Sequence, residues 1–212
     1  GVDSSTQSTK VEFRDLDSGE IVASASSPHP TVTPPCSEQD PHSWWGAFEH
    51  AWQAALSGLP GGSRVEAISV AGQQHGMVAL DADDRPVHPA KLWNDTATVA
   101  ETEEIIRALG GPAGVLEKTG LPLAVGFTAS KILWLKKNEP ENFARLRTVL
   151  LPHNYLNYVL TGVALMEYGD ASGTGLMDIR RRVWSPEAVA AVDPGLASRL
   201  PSLRSPSEPI GR

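Results

Sequence analysis

Short runs of apolar residues in this chain switch repeatedly between a strand-like and a helix-like period, which predicts an α/β protein with a mixed β-sheet and flanking helices. The first ten residues, Gly1 to Lys10, followed by Val11-Glu12-Phe13, read as a strand, a tight polar turn and a second strand. A turn at Leu16–Glu20 leads to a third strand over Ile21–Ser24, so the chain opens as an antiparallel meander. Pro28–Pro41 is a Pro-rich connection expected on the surface. Asp40 as N-cap and Pro41 at the first helical position then start a helix. Trp44, Phe48, Ala51, Trp52 and Ala55 recur along it at helical spacing, and it stops at Gly58–Gly62. That aromatic stripe is read as core.

Val65–Val70 is apolar enough for a central strand, Met77–Leu80 makes another, and Lys91-Leu92-Trp93 a short one. A helix runs through Val99, Ile105, Ile106 and Leu109 to Gly110-Gly111-Pro112. Thr128 reads as the N-cap of the next helix, with Ile132, Leu133 and Leu135 buried and Lys131 solvated. A helix over Glu139–Arg147, a strand over Thr148–Leu151 and a helix from His153 to Thr161 follow. Glu167–Thr174 reads as a polar, Gly-punctuated loop, Asp178–Trp184 as strand or turn, and Ser185-Pro186-Glu187 as the cap of a last short helix. The run Arg180-Arg181-Arg182 is a solvated edge.

Composition narrows the function classes. The net charge of −7 argues against nucleic acid and anionic membrane surfaces as partners, and no apolar run is long enough to span a membrane. A single cysteine, Cys36, rules out an internal disulfide and fits a cytoplasmic location. At 212 residues there is enough chain for a substantial core. Gly1 falls inside the first strand, and the last residues, Ser205–Arg212, complete no element; the expectation is a piece of a longer protein.

Four places carry candidate chemistry. Asp3, on the first strand beside a small-residue turn, offers a hard oxygen ligand to a hydrated metal ion, and Lys10 adds positive charge nearby. The alternative is a hairpin whose Asp and Ser side chains cap their own turn. Gln73, Gln74 and His75 bunch between Gly72 and Gly76 at a strand end, where glycines admit a ligand close to backbone and amides and imidazole can read sugar hydroxyls. Trp93 offers an aromatic face to a sugar's apolar side, with Asn94 and Asp95 as hydroxyl partners; Asp95 or Thr96 equally serves as a helix cap. Asp170 either faces a cleft or caps a turn.

Taken together, Asp3 with its hairpin, Ala71–Gly76, Trp93-Asn94-Asp95, the segment Gly126-x-Thr128-x-x-Lys131-x-x-Trp134-Leu135, Leu150-Leu151-Pro152-x-x-Tyr155-Leu156 and Asp170–Thr174 resemble the FGGY family of carbohydrate kinases in order and over the whole chain. The resemblance implies an actin-like, ribonuclease-H-like lobe: residues 1–212 as an N-terminal sugar-binding domain, with the nucleotide-binding lobe and the catalytic base beyond Arg212. It implies ATP and Mg²⁺ as cofactors, Gln74 and His75 on the sugar with Asn94 and Asp95 as further candidates, and Asp3, Thr6 and Lys10 on the Mg–phosphate side. Pro28-His29-Pro30, Ser37–Pro41 and Trp44-Trp45 bring it nearest to members that phosphorylate D-xylulose; ribulose, gluconate or glycerol kinases and a non-catalytic sugar-binding module are the alternatives. A homodimer is the further partner expectation, and half a cleft is expected not to catalyse. Ser4-Ser5 stands where the family usually has Leu-Gly, Gln74 where Met is common, and Ala97 where many relatives have Arg.

Overall fold

The computed structural model describes residues 1–30 and 36–211. In chain order its strands and helices are β1 (Val2–Ser4), β2 (Ser8–Arg14), β3 (Ile21–Pro28), β4 (Glu38–Gln39), α1 (Pro41–Leu56), β5 (Val70–Gly72), β6 (Val78–Leu80), β7 (Ala90–Lys91), α2 (Val99–Ala108), α3 (Gly111–Thr119), α4 (Thr128–Asn138) and α5 (Pro140–Arg145), followed by β8 (Thr148–Leu150), α6 (Pro152–Thr161), β9 (Leu165–Glu167), α7 (Tyr168–Ser172), β10 (Met177–Asp178), β11 (Val183–Trp184), α8 (Pro186–Val192) and β12 (Ser202–Arg204).

The expected meander is present and gains a parallel neighbour: the sheet order is β3-β2-β1-β5. Val2 stands opposite Val11 on β2 and opposite Val70 on β5. Alternation along β1 and β2 buries Val2, Val11 and Phe13 on one face, while Asp3 and Lys10 stand on the other. Helix α1 covers the apolar face with Phe48, Ala51 and Ala55, and Trp52 meets Phe13 edge-on at 4.9 Å. Asp40 starts this helix as expected, its carboxylate accepting from the His42 amide at 3.0 Å. Asp40→Ala is therefore expected to cost about 1 kcal/mol of stability, read as a shift in urea midpoint without a change in slope.

A second, larger core lies among α2, α4 and α8, with Ile105, Ile132, Leu135, Val189 and Leu196 at its centre. A third joins α1 and α6 through Trp44, Leu150, Tyr155 and Leu156.

Several expectations are corrected. The strand over Val65–Val70 is instead Val70–Gly72, with Val65 and Ile68 exposed ahead of it. The connection Pro28–Pro41 is not all surface. Residues 31–35 lie outside the described residues, but His29, Ser37 and Gln39 are buried, and β4 pairs with β7. Glu167–Thr174 is not a loop: β9 ends in Glu167, which caps α7 by accepting from the Asp170 amide at 3.1 Å. Residues 202–204, for which the sequence announces no element, form β12, parallel to β9. Thr128 is the first residue of α4, Phe127 its cap, and Thr98 caps α2 without a side-chain capping bond, its hydroxyl meeting Ser130 Oγ at 2.9 Å instead.

Candidate functional site

Parallel pairing of β1 and β5 sets the site's frame. The Gln73 amide donates to the Ser4 carbonyl at 3.1 Å, so the turn Gln73–Gly76 leaves the sheet directly beside the end of the strand that carries Asp3. Gln74 is exposed and His75 half-buried, both reachable, whereas Gln73 turns inward.

His75 is the most constrained residue of the site. Its backbone is left-handed, φ 56°, an uncommon conformation for a side chain of this size. Its ring lies flat on Phe127 with centroids 4.5 Å apart, and Nδ1 is 2.7 Å from the Gly173 carbonyl. A carbonyl only accepts, so Nδ1 carries the proton. In the neutral ring Nε2 is then an acceptor, the right partner for a hydroxyl. Burial, together with the nearby Lys131 charge, pulls the His75 pKa below its ordinary value against the Gly173 bond, which keeps the ring neutral at pH 7. Gly173 is required for this contact: a Cβ there would sit 2.3 Å from the His75 ring.

Trp93 stands half exposed, and its Nε1 donates to Thr6 Oγ1 at 3.0 Å. Thr6 Oγ1 in turn reaches Gln73 Oε1 at 3.4 Å, and the Thr6 carbonyl accepts from Gln39 at 3.0 Å. Thr6, expected on the phosphate side, therefore spends its hydroxyl tying the hairpin turn to Trp93 and Gln73. The Ser5 amide is also committed, to the Ser8 carbonyl at 3.0 Å, so the turn's N–H groups are not all available to an anion.

Asp3 projects from the open face with Lys10 directly opposite on β2. Lys10 pairs with Glu12 instead, and Asp3 has no ion-pair partner among the described residues. A lone, uncommitted carboxylate on an open strand fits a hydrated Mg²⁺ held through water, which asks for one or two protein carboxylates.

Asp95 does not join this group. It is fully buried, one oxygen accepting from the Ser37 amide (3.0 Å) and facing Lys91 Nζ (3.5 Å), the other accepting from the Ala97 amide (3.0 Å). It is the anchor of its turn, not a hydroxyl partner. Lys91 is equally buried, 2.6 Å from Glu38 and 3.9 Å above the Trp134 ring. Asn94 stays beside Trp93, with its buried Oδ1 unpaired.

Two features of the site differ from what the sequence led one to expect. His153, Glu167 and Asp170 come together below β5, His153 Nε2 at 3.0 Å from Glu167 and Nδ1 at 2.8 Å from Asp170. Burial alone would lower the His153 pKa, but the two carboxylates outweigh it and raise the value to about 9. Burial opposes the ionised form of Glu167 too, yet the bond and charge of His153 bring it down to about 2. The three residues' ligand atoms lie within 4.8 Å of one another, but the imidazolium itself fills the place of a cation. Asp170 thus neither caps a turn nor lies free. Lys131, expected in solvent, is the second feature and is fully buried. The signal for it was present: Thr128, Lys131 and Leu135 fall on one helical stripe with the buried apolar positions.

An α/β lobe with an actin-like ATPase fold, with Gln74 and His75 on the turn at the end of a parallel strand pair, is the class defined so far. The profile of the FGGY family of carbohydrate kinases, N-terminal domain, matches residues 1–212, and the chain belongs to that family. It is 40% identical over 220 residues to the xylulose kinase of Haemophilus influenzae and 41% identical over 214 residues to that of Streptomyces coelicolor, covering 100% of this chain and 45% and 43% of those proteins. The crystal structure of a xyloylose kinase from Brucella ovis superposes with a TM-score of 0.92 at 35% identity, over 100% of this chain and 44% of that one. The chain thus spans about half the length of the curated relatives it matches. Among the described residues, no helix is long and apolar enough to cross a membrane.

Proposed function

We propose that this chain is the sugar-binding lobe of an ATP-dependent kinase that transfers the γ-phosphoryl group of ATP to O5 of D-xylulose. The observation that carries the reading is the juxtaposition at the β1–β5 strand ends: a neutral imidazole with its acceptor nitrogen free, next to the strand bearing an uncommitted carboxylate. The names and identities of the relatives support the ketose over other sugars.

In this reading His75 Nε2 accepts from a sugar hydroxyl, Gln74 supplies amide partners, and Trp93 with Asn94 borders the ring's apolar side. Asp3 would hold Mg²⁺, which when bound would supply charge neutralisation for the phosphates. Lys10, paired with Glu12, contributes long-range positive potential at most. Phosphoryl transfer rests on positioning and electrostatics, so the lobe's contribution is to fix the acceptor hydroxyl in line. The base that takes the hydroxyl proton and the surface that holds adenine belong to a second lobe after Arg212, without which the chain turns nothing over.

His75→Ala in the full-length protein is expected to weaken D-xylulose binding by about 1–3 kcal/mol, the cost of leaving buried polar partners unpaired. Calorimetric titration against D-xylulose, D-ribulose, gluconate and glycerol tests both residue and substrate. A loss of thermal stability with unchanged sugar affinity would make His75 structural.

A further inference from the structure

Lys131 is buried to 0% exposure in α4 and touches no carboxylate closely enough to form an ion pair among the described residues. An apolar side chain of its length would fill the same space without the cost of desolvating an amine. What Lys131 does instead is specific. Its Nζ donates to the His75 carbonyl at 2.7 Å and to the Gly126 carbonyl. Those two carbonyls belong to the loops on either side of the imidazole: one is His75 itself, and the other directly precedes Phe127, on which the ring is stacked. Thr128 Oγ1 adds a second, longer bond to the same His75 carbonyl at 3.2 Å.

We infer that Lys131 is a positioning residue for His75, clamping its left-handed backbone and the Phe127 loop together so that Nε2 points into the sugar pocket. This rests on the reading of His75 as a sugar ligand. The mechanical argument is direct. A φ of 56° at a non-glycine residue is sparsely populated and persists only when its surroundings hold it. The Gly173 bond holds the ring, and Lys131 with Thr128 holds the carbonyl. Without the amine the peptide can relax to negative φ, which swings the ring off Phe127 and away from Gly173. Burial lowers the Lys131 pKa to about 7, and the amine keeps two N–H donors in either protonation state, so the clamp works on both sides of neutrality.

The experiment compares Lys131→Met, Lys131→Gln and His75→Ala in the full-length protein, all read by sugar and ATP kinetics and the Lys131 variants also by the ¹⁵N shifts of the labelled His75 ring. Lys131→Met should raise the KM for D-xylulose about tenfold, the size of one lost bond to a buried polar group, while KM for ATP stays within about twofold. Its His75 ring should lose the single Nδ1–H tautomer seen in the wild type. Lys131→Gln, whose amide carries two N–H donors, should recover most of both. Should Lys131→Met fail to fold, Thr128→Val tests the same carbonyl, with an expected rise of about threefold in ketose KM and a partial loss of the single tautomer. Unchanged His75 ring shifts in Lys131→Met, or in Thr128→Val where that variant carries the test, would overturn the clamp. A normal ketose KM in His75→Ala would instead overturn the sugar-ligand reading, and the ring shifts would still decide the clamp.

Discussion

Replacing Asp3 by Asn is expected to cut the turnover of the full-length protein roughly a hundredfold, a loss of about 3 kcal/mol of transition-state stabilisation. The substitution keeps the shape of the side chain and removes the charge that holds hydrated Mg²⁺. The fold should not notice: Asp3 is exposed and makes no ion pair among the described residues, so stability should stay within about 0.5 kcal/mol. D-xylulose affinity should be unchanged, because the proposed sugar contacts hang from β5 and from the Trp93 turn. Turnover measured across a Mg²⁺ titration, beside calorimetry with the sugar alone, separates the two effects. Normal turnover at every Mg²⁺ concentration would remove Asp3 from the mechanism.

His153→Gln should cost about 3–5 kcal/mol, because it leaves Glu167 and Asp170 facing each other in a buried site without the cation between them. The pH dependence follows from the shifts. The folded pKa of His153, about 9, lies above the ordinary 6.5, so its contribution is complete below pH 6.5 and is lost as pH rises through 9. The folded pKa of Glu167, about 2, lies below the ordinary 4.5, so its contribution is complete above pH 4.5 and is lost as pH falls towards 2. The difference in unfolding free energy between wild type and variant should therefore be greatest between about pH 4.5 and 6.5. Lys131 works in the opposite sense on the alkaline side. Its value falls from 10.5 to about 7, so stability rises across that interval and masks the loss at His153 in the wild type alone. Urea denaturation of both proteins from pH 4 to 10 isolates the pair by subtraction, and a pH-independent difference would refute the imidazolium assignment.

Local signals in the sequence were reliable where the physics is local. The meander, the Asp40–Pro41 start of α1 and its stripe of Trp44, Phe48, Ala51 and Ala55 are set by turns, caps and periodicity within a few residues. His75 and Trp93 stood out in the sequence as candidates because polar and aromatic groups cluster there at strand ends beside glycines. Long-range pairing was not legible. The β9–β12 ladder and the boundaries of β5 depend on partners far along the chain, and no local period announces them. The same limit explains the site's errors. Asp95 carries the composition of a ligand, but the Ser37 amide arrives from far along the chain and, with neighbouring Lys91, holds it in the core. His153, Glu167 and Asp170 gather only once β9 and α6 are packed.

The two neighbours of β1 differ in how far the chain must travel to bring them home. Val2 meets Val11 across a tight turn but meets Val70 only after α1 and its connections have been crossed. Closing the longer loop costs about 2 kcal/mol more in chain entropy. Contacts of that kind form late in folding, after the hairpin has become a template for them. The turn bearing Gln74 and His75 sits just beyond this strand, so the proposed sugar grip is expected to be among the last properties the chain acquires on folding. A ligand that binds only the docked strand would hold that final step closed.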